Sequence, residues 1–390
     1  MEGSPLSSSV GIDVAALRRD QFPVTRAWSW LDHATFGPPP KAFVSAVQGF
    51  VDSMADASLP QGQAMWGDGL DRVRGKAARF MNCEPDDIAF QKSTAEGIGV
   101  VALGFDWKQG DEVIAYDQAF PADVYPWMNL ASRGVELKLI HDRGRRRFDV
   151  DDIEALMSPR TRVVCLELVN FGNGFRAPLQ QIAKLCHEHG AWLVVDATQG
   201  AGALRIDVRE LGCDVLIAHG YKFMMSGWGT AISYFAPHVR ARVGVPEPGW
   251  KSLQQIPPPS LVDYKLDFAA EARRFEPGIP DMVSIFGTEA VIDLMTEIGT
   301  GHIEERVLAY GAEVAEALTH RGWSVVSSQR PGERSGILSA EKKGLEMESV
   351  RERLVEGHVA CAVREGRLRV SFHFYNDRSD LDRLLACLPA

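Results

Sequence analysis

Short apolar runs recur along the chain at 111–116, 135–140, 162–169, 191–196 and 214–219, each of a length that suits one buried strand. A segment of different period lies between the third and fourth of these runs. Pro178 opens it, Leu179, Ile182, Leu185 and Cys186 recur at helical spacing, and Gly190 closes it. Repeated strand–helix–strand units predict a largely parallel sheet covered on both faces. In such sheets ligands gather beyond the carboxyl ends of the strands, where Asn170, Asp196 and Lys222 stand. The pattern changes after residue 244. Proline-rich stretches at 245–250 and 255–260 read as an irregular excursion. Helical periodicity then follows at 282–298 and 302–320, before a strand-rich tail with a closing helix from Ser379. The expected organisation is an N-terminal segment (1–30) packed on the smaller domain, a large α/β domain (31–255) and a smaller α+β domain (256–390).

With 390 residues the chain can build two domains and a substantial core. Hydrophobic residues at 45% and charged residues at 24% match an ordinary globular protein. A formal charge of −10 speaks against a nucleic-acid partner. The basic run from Arg143 to Arg147 reads as a solvated turn. The first ten residues lack the basic start and apolar stretch of a secretion signal, and no apolar run has the length of a bilayer span. Six cysteines are scattered without a paired spacing, so neither a zinc site nor a disulfide framework is expected. These features predict a cytoplasmic, reduced protein without a membrane partner.

The run ending at His219 opens into a glycine-punctuated loop that carries Lys222. A lysine at a strand end can condense with an aldehyde, which is how pyridoxal 5'-phosphate (PLP) is held. That cofactor needs a carboxylate to keep its pyridine nitrogen protonated, and Asp196 ends an apolar strand. The plain alternative is a capping aspartate ahead of Thr198. Gln199 and Asn170 can hydrogen-bond the phenolic oxygen, or serve as ordinary loop residues. For a phosphate, Ser93 and Thr94 offer hydroxyls where a helical pattern starts, although Ser93 with Glu96 also reads as a simple capping box. His219 and Tyr221 flank Lys222 and can reach the same phosphate. A rival pattern, Gly172-Asn-Gly174-Phe-Arg-Ala177 ahead of Asp196, fits a dinucleotide fingerprint and a nicotinamide-dependent oxidoreductase. It leaves Lys222 and the Ser93 loop without a role.

Taken together, Asp196-Ala-Thr-Gln199-Gly, His219-Gly-Tyr-Lys222, Arg274-Phe-Glu276-Pro-Gly278 and Arg369-Val-Ser-Phe-His-Phe-Tyr375-Asn376 resemble the class V aminotransferase superfamily. That group includes cysteine desulfurases, kynureninases, isopenicillin N epimerase-like proteins and cysteine C–S lyases. The resemblance runs from about residue 31 to the C-terminus. It implies fold type I: a large domain around a mostly parallel seven-stranded sheet, a smaller α+β C-terminal domain, and a homodimer with the site at the subunit interface. It implies that Lys222 carries the cofactor covalently and then shuttles protons, and that Asp196 pairs with the pyridinium. Gln199 and Asn170 would touch the phenolic oxygen. Thr94, the Ala95 backbone, His219 and Tyr221 would bind the phosphate beside Ser93. Arg369 would clamp the substrate carboxylate, as its planar fork suits, while Arg367 on the same strand face reads as a surface residue.

Three departures bear on the chemistry. Phe120 stands where desulfurases stack a histidine on the ring, and phenylalanine can stack but cannot transfer protons. Ile279 stands where many relatives place a threonine that reaches the partner subunit's phosphate. No stretch corresponds to the loop that carries a desulfurase's nucleophilic cysteine, because Cys361 lies in an expected strand close to Arg369. The expectation drawn from this is a PLP enzyme that is not a persulfide-forming desulfurase. The reaction expected is β-elimination of the C–S lyase type on a cysteine-derived amino acid, with Lys222 as the base at Cα. Epimerisation, decarboxylating deamination, transamination and kynureninase-like cleavage stand as alternatives on the same scaffold.

Overall fold

The computed structural model describes residues 13–56, 68–256, 260 and 262–389. The first ten residues and part of the proline-rich stretch at 255–260 fall outside that set. After a short β1 (Ser29–Trp30) come the strands of the central sheet: β2 (Ile88–Gln91), β3 (Glu112–Tyr116), β4 (Glu136–Ile140), β5 (Thr161–Glu167), β6 (Trp192–Asp196), β7 (Val215–His219) and β8 (Ala231–Phe235). The seven lie in the order β2-β8-β7-β6-β5-β3-β4. Strands β4, β3, β5, β6 and β7 pair in parallel, and β8 runs against both β7 and β2. Every residue of β3, β6 and β7 is buried, as expected of strands covered on both faces.

The five apolar runs thus become β3 to β7. Strand β8 gave no signal of its own, because Ser233 interrupts its apolar residues; it is nevertheless buried along its whole length. The helix expected between Pro178 and Gly190 forms as Leu179–Glu188, and Gly190 takes the left-handed conformation (φ 70°) that stops it. Helices Met282–Ile298 and Thr300–His320 also follow the periodicity. The first of them packs on helices Lys41–Asp56 and Asp68–Met81, which precede the central sheet.

A second sheet holds β9 (Ser324–Val325), β10 (Ile337–Glu341), β12 (Ala362–Arg364) and β13 (Arg367–Ser371) in the antiparallel order β12-β13-β10-β9. Strand β11 (Val359–Ala360) pairs in parallel with β1, which fastens the N-terminal segment to this region. Arg18 strengthens the tie through Asp380 (2.6 Å) and the Tyr375 carbonyl (2.9 Å), and Phe22 stacks on Tyr375 with ring centroids 3.9 Å apart. Among the described residues no helix is long and apolar enough to cross a membrane.

The glycine pattern at 172–177 is a tight turn rather than an open nucleotide cradle. Asn170 Oδ1 accepts the Gly172 and Asn173 amides, each at 3.1 Å. Gly174 (φ 77°) presses against β10, where a Cβ would lie 2.3 Å from the Ile337 carbonyl oxygen. With that glycine covered by the second sheet, the dinucleotide reading loses the surface it needs.

Candidate active site

The carboxyl ends of β5, β6 and β7 bring Glu167, Asp196 and His219 side by side, and the loop after β7 returns Lys222 over them. Lys222 is 7% exposed, and burial lowers the pKa of its ammonium. Its Nζ lies 5.2 Å from the centre of the Phe120 ring and 5.5 Å from that of Tyr221. The loop is held from outside by glycines. A Cβ at Gly37 would sit 2.0 Å from the Lys222 carbonyl oxygen, and one at Gly202 (φ 96°) would sit 2.2 Å from that of Phe223. Buried His373 fixes the same loop by donating Nε2 to the Phe223 carbonyl at 2.8 Å.

Asp196 is also 7% exposed, and one of its oxygens accepts the Thr198 amide at 2.7 Å. Burial raises its pKa, while the Thr198 hydrogen bonds and Lys222 oppose that rise. Thr198 extends the arrangement: its hydroxyl meets the Thr94 hydroxyl at 2.9 Å and accepts the His219 amide at 3.1 Å. Thr94 opens helix Thr94–Gly104, with Ser93 as its cap. The Ser93 hydroxyl accepts the Glu96 amide, and Glu96 in turn accepts the Lys92 amide. The Ser93 cap is therefore present, although Glu96 bonds the Lys92 amide and not that of Ser93, so the reciprocal half of a capping box is missing. That cap still leaves the Thr94 and Ala95 amides, at the first two helical positions, without intrahelical acceptors and free for an anion. His219 is held near a pKa of about 4 by burial and by Lys222, so its ring is neutral. Tyr221 meets the His219 ring edge-on and stacks on Trp228, both at 4.5 Å.

Arg369 enters from the second sheet, mid-strand in β13 and 1% exposed. Its guanidinium donates to the Phe171 carbonyl (2.7 Å), the Thr35 hydroxyl (2.7 Å) and Asp32 (3.3 Å), and its Nε has no partner. Burial pushes its pKa down to about 10. Arg367 pairs instead with Glu341 at 3.0 Å. Two of the residues expected at the phenolic oxygen are already engaged. Asn170 spends its amide hydrogens on the Gln118 carbonyl (2.8 Å) and Glu167 (2.7 Å). Gln199 donates to the Ala34 carbonyl at 3.1 Å and leaves its oxygen buried without a partner. Ile279 is half exposed and lines a separate cavity with Gln91, Glu276 and Asp281.

The donor set fits PLP. A buried amine, a buried carboxylate, an open helix start with hydroxyls and a facing aromatic ring converge. Three side chains of this site carried no role in the sequence reading. Asp32 pairs with Arg369; Glu167 ends β5 as Asp196 ends β6; Asp123 is fully buried with both carboxylate oxygens unpartnered. Glu167 was open to the strand-end rule that found Asp196. Asp123 gave no signal, since a turn aspartate is ordinarily solvated.

The family model described as Aminotransferase class-V matches residues 29–384. A probable cysteine desulfurase of Methanothermobacter thermautotrophicus is 26% identical, the alignment covering 94% of this chain and 95% of that protein. The apo structure of a cysteine desulfurase from Thermococcus onnurineus NA1 superposes with a TM-score of 0.87 at 24% identity, covering 97% of each chain. The cystine C–S lyase C-DES, solved with its reaction product cysteine persulfide, superposes with a TM-score of 0.86 at 20% identity, covering 94% of this chain and 98% of that one. These matches correct one expectation. The exclusion of a persulfide-forming desulfurase rested on Phe120 and on the lack of a cysteine-bearing loop, with Cys361 set aside as too close to Arg369, yet relatives across nearly the whole chain are named cysteine desulfurases. Two such departures do not define a reaction when the scaffold around them is shared. Cys361 itself is buried, with its thiol pushed up to about 12.

Proposed function

Because the chain belongs to the class-V aminotransferase family, we propose that it is a PLP-dependent enzyme that breaks the C–S bond of a cysteine-derived amino acid by β-elimination. The observation that carries this reading is the convergence of buried Lys222 and Asp196 from the central sheet with buried Arg369 from the second. PLP, when bound, supplies an electron sink for a carbanion at the substrate's Cα. Lys222 holds it through the ε-amine, and the low pKa that burial gives that amine favours the neutral, reactive form. Asp196 provides the negative charge for the ring nitrogen. Thr94, the Ala95 amide and neutral His219 offer hydrogen bonds to a phosphate. Arg369 takes the substrate carboxylate in exchange for part of its hold on Asp32 and Thr35, and so aims Cα–H at Lys222. Phe120 covers the amine from one side, excludes water there and moves no proton.

A homodimer belongs to the same reading. Exposed Trp228, Ile279 and Val283, together with Val44, Val51 and Met54 on helix Lys41–Asp56, are apolar side chains that a second copy would cover. A second reading, supported by the relatives' names, is desulfuration, in which a thiol takes the sulfur and alanine leaves. One assay separates the two. Incubated with cysteine, cystine and S-substituted cysteines, the enzyme is expected to release pyruvate and ammonia; alanine with enzyme-bound sulfane sulfur would instead establish desulfuration. Purified protein that stays colourless after addition of PLP, and yields no borohydride-fixed adduct at Lys222, sinks both.

A further inference from the structure

In the second sheet Ser339 on β10 is the partner of Arg369 on β13, and Arg364 on β12 is the partner of Arg367. Side chains alternate along a strand and match across a pair, so these four residues share one face. Arg369 holds the inner end of that face, and Arg367 and Arg364 continue it to the turn between β12 and β13. The face borders a cavity of about 330 Å³, lined by Arg364, Arg367 and Ser339 on one side and by Arg146 and Phe171 among others on the opposite side. Phe171 joins this cavity to the site. Its carbonyl accepts from Arg369, and its ring meets Phe120 edge-on at 5.3 Å. Phe120 in turn faces the Lys222 amine. The cavity therefore continues the site outward from the amine and the substrate arginine.

The cations along this cavity are unequally engaged. Arg367 is neutralised by Glu341 at 3.0 Å. Arg146 reaches Asp142 only at 3.7 Å. Arg364 pairs with no carboxylate among the described residues; its guanidinium donates to the Val363 carbonyl (2.8 Å) and the Thr35 hydroxyl (3.3 Å). The same hydroxyl takes Arg369 at 2.7 Å, so the two guanidiniums are neighbours, and Asp32 answers only Arg369. Ser339 adds a donor, since it is 1% exposed, lines the cavity and has a hydroxyl without a partner. The acids of the lining do not offset this excess. Asp117 is held by the Asp142 amide and by His141. Glu365 stands exposed on the turn, where water screens it. An unpaired guanidinium, a loosely paired one and an unused hydroxyl together favour an oxyanion.

We propose that this cavity seats a second anionic group of the substrate, a cysteine derivative whose sulfur carries a short chain ending in a carboxylate. The proposal rests on the PLP reading above and names the substrate class for that same site. Arg369 takes the carboxylate next to Cα. Arg364 takes the distal one, with Ser339 and Arg146 beside it, and is the residue that sets specificity. Without Arg364 the preference for a charged side chain disappears, while an uncharged substrate is held as before. Arg369 keeps its own bonds to Asp32 and Thr35 in that variant.

The test compares S-carboxymethylcysteine with its uncharged isostere S-carbamoylmethylcysteine, in wild type and in Arg364→Gln. Titration of the holoenzyme, followed by the cofactor's visible absorbance, gives a Kd for each compound whether or not it is consumed. Wild type is expected to bind the acid about 10- to 100-fold more tightly than the amide, the scale of a hydrogen bond to a charged group. Arg364→Gln is expected to bind the two alike, with its affinity for the amide unchanged. Equal binding of acid and amide by wild type overturns the proposal, as does a preference that survives in Arg364→Gln. An equal loss for both compounds also overturns it, because Arg364 would then serve the carboxylate next to Cα. The readout does not depend on β-elimination, so an enzyme that desulfurates cysteine still judges the cavity. Failure of wild type to take up PLP would instead defeat the functional reading. Glutarate and its monoamide, added to the cofactor-free protein, then make the same comparison: glutarate is expected to raise Tm more than the monoamide in wild type only, and matching shifts overturn the proposal.

Discussion

The central sheet and the second sheet supply the site in different ways. Asp196, His219 and Lys222 stand at or just beyond strand ends, and the helix opened by Thr94 leaves amides free for an anion. Arg369 stands in the middle of β13, and three protein acceptors already occupy its guanidinium. In the proposed reading the cofactor end is thus open and pre-organised, whereas the substrate end is satisfied in advance and would exchange partners. A group that waits for its ligand fails outright when removed. A group that trades one partner for another is expected to fail by degrees.

The largest effect tests the cofactor end. Lys222→Ala removes both the covalent anchor and the proton carrier, and is expected to lower kcat at least about 10³-fold, within the range for general acid–base groups. Borohydride should then fix no cofactor to the protein, as read by mass. Near-normal turnover would break the contrast by showing that Lys222 is dispensable. Next stands Gly202→Ala. The backbone there has φ 96°, and the new Cβ would meet the Phe223 carbonyl at 2.2 Å. A cost of about 2–3 kcal/mol is expected from strain alone, seen as a lower Tm, with weaker PLP retention because Phe223 follows Lys222. A variant as stable as wild type would mean that this support of the lysine loop is slack.

At the substrate end, Arg369→Ala is expected to reduce kcat/KM by about 10- to 100-fold, the scale of a lost hydrogen bond to a charged group, mostly through KM. Cofactor absorbance should survive. If it disappears, the two ends are not separable and the comparison fails.

What the sequence revealed follows the same division. The parallel core was legible because strands buried on both faces are continuous apolar runs, as β3, β5, β6 and β7 are, with the half-exposed edge strand β4 alternating instead. Lys222 and Asp196 were legible because strand ends are where ligands gather. Strand β8 was not, since Ser233 breaks its pattern and its neighbours are set by tertiary pairing alone. Asp32 and Thr35 were equally hidden as partners of Arg369. They lie more than 330 residues away along the chain, and no local period encodes such a pairing. The expectation that failed, exclusion of desulfuration, was the one drawn from what the sequence lacked, a histidine at Phe120 and a cysteine-bearing loop, rather than from a pattern it contained.

The smallest effect sharpens the comparison most, because its two parts carry opposite signs. Asp32 holds Arg369 at 3.3 Å, and burial raises the Asp32 pKa against the pull of that arginine. Asp32→Asn keeps an oxygen for the guanidinium but removes the charge that competes with an incoming carboxylate. Folding should suffer by about 1–2 kcal/mol, since a buried guanidinium loses part of its compensation; thermal unfolding reads that loss. Substrate binding should improve in turn, with KM falling about two- to fivefold, within the range of one modest hydrogen-bond contribution. If both quantities worsen, Asp32 aims Arg369 at the substrate rather than competing with it. The second sheet would then be as pre-organised as the first.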